Sequence, residues 1–142
     1  MGARTCILVY AGQPLDYAKF RHTGLYIEFD DDAKDRGTLF HITGASGFFT
    51  FDSSPGYDPS ESKSLRNIIN VGELPEGVPK AAVEAIIAAT RIHNGINDAD
   101  WNCQNWVGDA LQQLVAQNWL TATQRETAVN QMVTACFEAK DE

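Results

Sequence analysis

The sequence predicts an α+β domain in which an antiparallel sheet packs against helices. Two observations carry this. Short runs rich in β-branched and aromatic residues occupy the first half of the chain, and three segments of helical periodicity occupy the second. At 142 residues the chain has the length of one domain, read as 1–142, with 44% hydrophobic and 21% charged residues. Such a chain can bury about two-thirds of its unfolded surface.

The elements follow in order. "TCILVYA" (5–11) is an apolar run of strand type. "RHTGLYIEF" (21–29) alternates, placing Leu25, Ile27 and Phe29 on one face and His22, Gly24, Tyr26 and Glu28 on the other. The polar "DDDAKDRG" (30–37) reads as a turn, and "TLFHITG" (38–44) follows with Phe40 and Ile42 alternating against Leu39, His41 and Thr43. The two runs form a β-hairpin. "GFFTF" (47–51) is a further short strand. The segment 52–63 reads as a loop by its Pro, Gly and Ser content, and "LRNIINVGEL" (65–74) is a strand again.

Three helices complete the pattern. "VPKAAVEAIIAATRIHN" (78–94) has Pro near its start and Asn-Gly at its end. In "NCQNWVGDALQQL" (102–114), small or apolar residues recur at 103, 106, 107, 110, 111 and 114, which is one helix face, and Asn102 is suited to the N-cap. The last helix, 123–138, opens on Thr-Gln-Arg-Glu, a capping-box spacing, and carries Val129, Met132, Val133, Cys136 and Phe137 on one stripe.

Charge and composition narrow the function. The formal net charge is −8 and no run of Lys and Arg occurs. Nucleic-acid and anionic-membrane partners both require clustered cations, so neither is expected. "MGARTCILVYAG" is too short an apolar run for a signal peptide or a span, and Cys6 stands where a myristoylation pattern needs Ser or Thr. Three cysteines without a secretion signal suit a reducing compartment, so a soluble cytoplasmic protein is expected.

One constellation could do chemistry. With Asn102 as N-cap, Cys103 lies in the first helical turn, where the helix dipole favours a thiolate and free N–H groups could hold an oxyanion. Pleat parity puts His22 and His41 on the same face of the hairpin. With the turn centred between Asp31 and Ala33, they lie nearly opposite one another, within hydrogen-bond reach. Cys103 would attack, His22 would take its proton, and His41 would fix the tautomer of His22. Gly24 would let the Cys103 helix approach closely. No cofactor is called for.

Plainer readings stand beside this. A cysteine on an apolar stripe is commonly a small core residue, as Cys6 and Cys136 are expected to be, and a strand histidine is commonly structural. His93, near a helix C-terminus, suits the macrodipole. "GASGF" (44–48) misplaces a glycine for a serine nucleophile elbow, so Ser46 reads as a turn residue. "DDDAKD" (30–35) departs from a calcium loop at Lys34 and at His41. A zinc site of His22, His41 and Cys103 lacks a close-spaced ligand pair.

"RHTGLYIEF", "LFHITG" and, far downstream, "NCQNWV" resemble the signature blocks of the circularly permuted papain-like enzymes. These are the lecithin:retinol acyltransferase group, the NlpC-type cell-wall peptidases and the PPPDE-type isopeptidases. The histidine strand precedes the cysteine helix, as in the permuted members. The resemblance implies that His22 is the base, His41 the acyltransferase group's second histidine, and Cys103 the nucleophile. It covers about a quarter of the chain, residues 20–44 and 101–114, so it speaks for fold more than for substrate. Gln104, Asn105 and Trp106 depart from the acyltransferase pattern, and "CFEAKDE" is no hydrophobic tail, which makes phospholipid a less fitting substrate. "HTG" and Asn-Cys-x-Asn lean toward the isopeptidases, and His41 leans back.

The expectation is a thiol-dependent hydrolase or acyltransferase acting on an amide, ester or thioester of a small-molecule or peptidic acyl substrate. Trp101, Asn102 and Tyr26 are the expected substrate contacts, with the loop 52–63 as a rim. The rivals are a non-catalytic binding module on the same fold and a metal-dependent hydrolase.

Overall fold

The strand-forming runs pair into one antiparallel sheet in the computed structural model, which describes residues 2–29 and 36–141. Its strands are β1 (Arg4–Tyr10), β2 (His22–Glu28), β3 (Gly37–Thr43), β4 (Thr50–Tyr57) and β5 (Leu65–Glu73), in the order β4-β3-β2-β1-β5. The helices are α1 (Lys80–Ala88), α2 (Cys103–Ala116) and α3 (Ala122–Phe137). The architecture is therefore α+β. The turn expected at 30–37 and the calcium-loop-like "DDDAKD" fall largely or wholly on residues 30–35, outside the described residues.

Both sheet faces are apolar, and each has its own partners. Ile7, Val9, Leu25, Ile27, Phe40, Ile42, Ile69 and Val71 form the main core with the helices. Cys6, Leu8, Tyr10, Tyr26 and Leu39 form a second, smaller core with Tyr57 and Leu65. The sheet curls over this second core, so that the Tyr57 hydroxyl of edge strand β4 lies 2.7 Å from that of Tyr10 on β1, three strands away. β1, apolar on both faces, is buried on both.

The stripe of α2 packs as its periodicity predicts, burying Cys103, Trp106, Val107, Ala110, Leu111 and Leu114 against the main core. Several boundaries differ from the sequence reading. The segment expected to be a loop at 52–63 is half strand, because β4 is an edge strand, where Pro55 and Gly56 cost no central ladder bond. α1 stops at Ala88 rather than at 94. Thr90 closes its end through N–H and hydroxyl bonds to the Ile87 and Ile86 carbonyls, and Asn94 is drawn away to Phe49. His93 therefore lies beyond the helix, its ring 4.9 Å from Trp101.

α3 is capped by Thr121, two residues earlier than expected. Its hydroxyl accepts from the Gln124 N–H while Gln124 Oε1 accepts from the Thr121 N–H. The face turned inward is Ala128, Met132, Ala135 and Cys136, and Val133 and Phe137 are exposed. A stripe of small residues lets α3 lie close on β5 and β1.

One buried ion pair fixes the start of β2. Arg21 grips Asp16 bidentately, at 2.9 and 2.8 Å, and donates to the carbonyls of Ala135 and Glu138 at the end of α3. Asp16 also accepts from the N–H groups of Gly12 and Lys140. The Arg21 guanidinium, with these N–H donors, holds the Asp16 carboxyl far below the usual carboxylate range.

Candidate active site

Cys103 is the first residue of α2, and the cap before it is complete. Asn102 is extended, its side-chain oxygen accepts from the Gln104 N–H at 2.9 Å, and its own N–H donates to Asn105 Oδ1 at 3.0 Å. The helix start is tied to the segment leading into β2. Gln104 Nε2 donates to the carbonyls of Ala18 and Arg21, and the Cys103 thiol donates to the Arg21 carbonyl at 3.8 Å. Burial pushes the Cys103 thiol up. The backbone and hydroxyl of Thr23 and the N–H groups of Cys103 and Gln104 oppose this less strongly. The resting sulfur is therefore a thiol.

The histidines lie on the other face. Leu25 pairs with Phe40 across β2 and β3, so His22 and His41 are diagonal neighbours rather than directly opposed. They still touch, with His22 Nε2 2.8 Å from His41 Nδ1. Gly24 helps them meet. A Cβ there would lie 2.9 Å from Leu39 Cδ1 and 3.2 Å from His41 Cβ, so the missing side chain makes room for β3, not for α2 as the sequence suggested. Burial and the facing His41 push the His22 imidazole down to about 4.

A third member of this chain is Asp52, which sequence reading had assigned to the loop. It pairs with His41 across β3 and β4, and its carboxylate lies 3.2 Å from His41 Nε2. The strand expected at 47–51 starts at Thr50 and continues past Phe51 through Asp52 to Tyr57. The carboxylate only accepts, so Nε2 of His41 carries the hydrogen and its Nδ1 accepts from His22 Nε2. Nδ1 of His22 is then left as an unprotonated base, with no hydrogen-bond partner among the described residues.

Cys103 and His22 sit on opposite sides of the sheet, the sulfur with the main core and the imidazole 5.8 Å from Tyr10 of the second. Among the described residues no hydrogen bond joins them. They come together only around the end of β2, where both border one cleft of about 730 Å³. Its walls are three segments: Gln13 with Lys19–His22, Ile42–Ser46 with Phe49, and Ala99–Cys103.

Of the other expected contacts, Trp101 and Asn102 border this cleft. Tyr26 does not. It is buried in the second core with its hydroxyl toward the Tyr57 carbonyl, and four residues along a strand separate it from His22 by about 13 Å. The segment 52–63 is not part of the rim either, since it runs along the far edge of the sheet as β4 and a short turn at Pro59–Glu61. Ser46 is in the rim, its hydroxyl donating to the Ala99 carbonyl across the cleft wall.

Among the described residues no three His, Cys, Asp or Glu side chains converge so as to hold a metal ion. No helix among them is long and apolar enough to cross a membrane. Residues 9–121, which run from the end of β1 to the cap of α3, match the model described as a family of unknown function, DUF6540. No curated protein and no solved structure matches the chain.

Proposed function

The chain belongs to the DUF6540 family, and from that footing we propose that it is a thiol-dependent hydrolase or acyltransferase of circularly permuted papain-like type. The observation that supports this most is the shared cleft. Cys103, at a capped helix start, and His22, at the end of the Asp52–His41–His22 chain, border the same space.

The proposed reaction runs through an acyl-enzyme. The carbonyl of an amide, ester or thioester enters the cleft, and Nδ1 of His22 takes the Cys103 thiol proton as sulfur attacks. The C–S bond forms, and the carbonyl electron pair moves onto oxygen, which the N–H groups at the start of α2 stabilise. The oxyanion then collapses, breaking the bond to the leaving group, which departs with the proton from His22. Water, an amine or an alcohol, deprotonated by His22, attacks the thioester and releases Cys103 as the thiol. His41 and Asp52 hold His22 in the tautomer whose Nδ1 accepts. His22 is neutral at pH 7 and the thiol is protonated, so the pair starts uncharged. The substrate is a small-molecule or peptidic acyl compound, and a reducing compartment would keep the free thiols of Cys6, Cys103 and Cys136 reduced.

Intact-protein mass spectrometry after exposure to activated acyl donors tests this. One acyl adduct is expected, mapping to Cys103 and absent in Cys103→Ala. An adduct that persists in Cys103→Ala overturns covalent catalysis at that sulfur.

A non-catalytic binding module is the second reading, favoured by the bond of the Cys103 sulfur to the Arg21 carbonyl instead of to an imidazole. On that reading no donor in the panel acylates Cys103 faster than Cys6 or Cys136.

A further inference from the structure

The cleft has an aromatic wall whose construction the catalytic chain does not require. Phe49 and Trp101 border it with rings 5.9 Å apart, edge to face, and His93 backs Trp101. The backbone of Phe49 is clamped from both sides by one side chain. Its N–H donates to Asn94 Oδ1 at 2.9 Å, and its carbonyl accepts from Asn94 Nδ2 at 3.0 Å. The Ser46 hydroxyl makes a second tie between the same two stretches of chain, through the Ala99 carbonyl. Asn94 and Ser46 thus join the β3–β4 connection to the segment leading into α2, and the rings are held in place without ligand.

The cleft lining is mixed, and exposed apolar side chains occur along the segments that form it. Seven large apolar side chains are exposed among the described residues. Phe20 lines the cleft, and Leu15, Phe48 and Ile96 belong to the stretches that form or immediately precede its walls. The remaining three, Ile68, Val133 and Phe137, lie on β5 and α3. Lys19 and Asp100 also line the cleft, with the Lys19 ammonium 5.1 Å over the Phe20 ring. At the Phe49–Trp101 wall, however, a pre-built pair of rings beside a nucleophile suits an apolar group of the substrate better than a charged one.

We propose that Phe49 and Trp101, held by Asn94, form a subsite that selects substrates carrying a bulky apolar group, aromatic or branched, on the acyl side of the scissile carbonyl. This rests on the acyl-transfer reading of Cys103. A group of phenyl size occupies the space between Phe20 and the Phe49–Trp101 pair, and a small acyl group leaves it to water.

The test uses 4-nitrophenyl esters differing only in their acyl group: acetyl, phenylacetyl and succinyl. Each acylation rate at Cys103 is divided by the rate with glutathione, to remove intrinsic reactivity. Phenylacetyl is expected to exceed both acetyl and succinyl about 10-fold or more, the scale on which apolar pockets discriminate. Phe49→Ala and Asn94→Ala should each lower the phenylacetyl-to-acetyl ratio, with Trp101→Phe retaining most of it. Acylation of Cys103 by all three esters at equal corrected rates overturns the subsite and leaves the acyl-enzyme standing.

If no ester acylates Cys103, the acyl-transfer reading fails, and binding alone decides the subsite. Backbone-amide NMR of Cys103→Ala titrated with phenylacetamide and with acetamide is then the measurement. Shifts at Phe49 and Trp101 with phenylacetamide alone support it, and equal or absent shifts overturn it.

Discussion

The two faces of the sheet are built differently, and the contrast explains the site. On the helix face, apolar side chains from β1, β2, β3 and β5 meet the stripe of α2, and Cys103 is the first residue of that stripe. On the curled face the side chains are fewer and more polar-tipped, and the histidines and tyrosines form hydrogen-bonded pairs there: Tyr10 with Tyr57, and His22 with His41. The helix face supplies a protonated sulfur in a dry setting, and the curled face supplies a neutral imidazole whose tautomer is set from Asp52. A sheet keeps two such environments apart along its whole length except at strand ends. The start of β2 is such an end, and the cleft opens there.

The largest expected effect comes from removing the helix-face partner. Cys103→Ala should lower the rate of acyl turnover by about 10³-fold or more, on the order seen when a covalent nucleophile is lost, with the circular dichroism spectrum unchanged. Next is the anchor on the same side. Arg21→Leu leaves the Asp16 carboxylate with only its N–H donors from Gly12 and Lys140 and frees the carbonyls at the end of α3, so the urea-unfolding midpoint should fall.

The curled face is broken more gently. His22 stays neutral in the fold down to about 4, whereas its ordinary value is near 6.5. Between these values the unfolded chain binds a proton that the folded chain refuses. Stability therefore falls as pH falls through this window, by at most about 1.4 kcal/mol per pH unit. His22→Gln should reduce that slope, as denaturant titrations at several pH values would reveal. Smallest is Asp52→Asn, expected to slow acylation by about 10-fold, because an amide can donate to His41 Nε2 and reverse the tautomers that leave His22 Nδ1 basic. His41→Ala should leave a fraction of the rate, because His22 keeps its ring and loses only the partner that sets its tautomer. If Asp52→Asn matches the loss of His22→Gln, Asp52 does more than orient.

Much of this was legible in the residues. The alternation in "RHTGLYIEF" and "LFHITG" put both histidines on one face, and the spacing from 103 to 114 marked the buried stripe and its cap. The same parity rule already implied that the histidines faced away from the Leu25 and Ile27 side on which the α2 stripe packs. Asp52 was hidden because Pro55 and Gly56 read as loop residues, and only the sheet order shows that they lie on an edge, where a strand tolerates them. The Arg21–Asp16 clasp was not legible, since it depends on the end of α3 arriving beside residues more than a hundred positions earlier. The α3 stripe was misjudged for a related reason. Periodicity finds a face, but the closeness of β5 decides that Ala128 and Ala135 turn inward while Val133 and Phe137 stay out.

The central claim is that a sulfur on one face and an imidazole on the other act together around the end of β2. The rate at which an activated ester acylates Cys103, compared between the natural chain and His22→Gln with Cys6 and Cys136 as internal controls, tests it most directly. The account predicts acylation confined to Cys103, level through neutral pH and slowed about 100-fold or more in His22→Gln. Equal rates in the two proteins would contradict it.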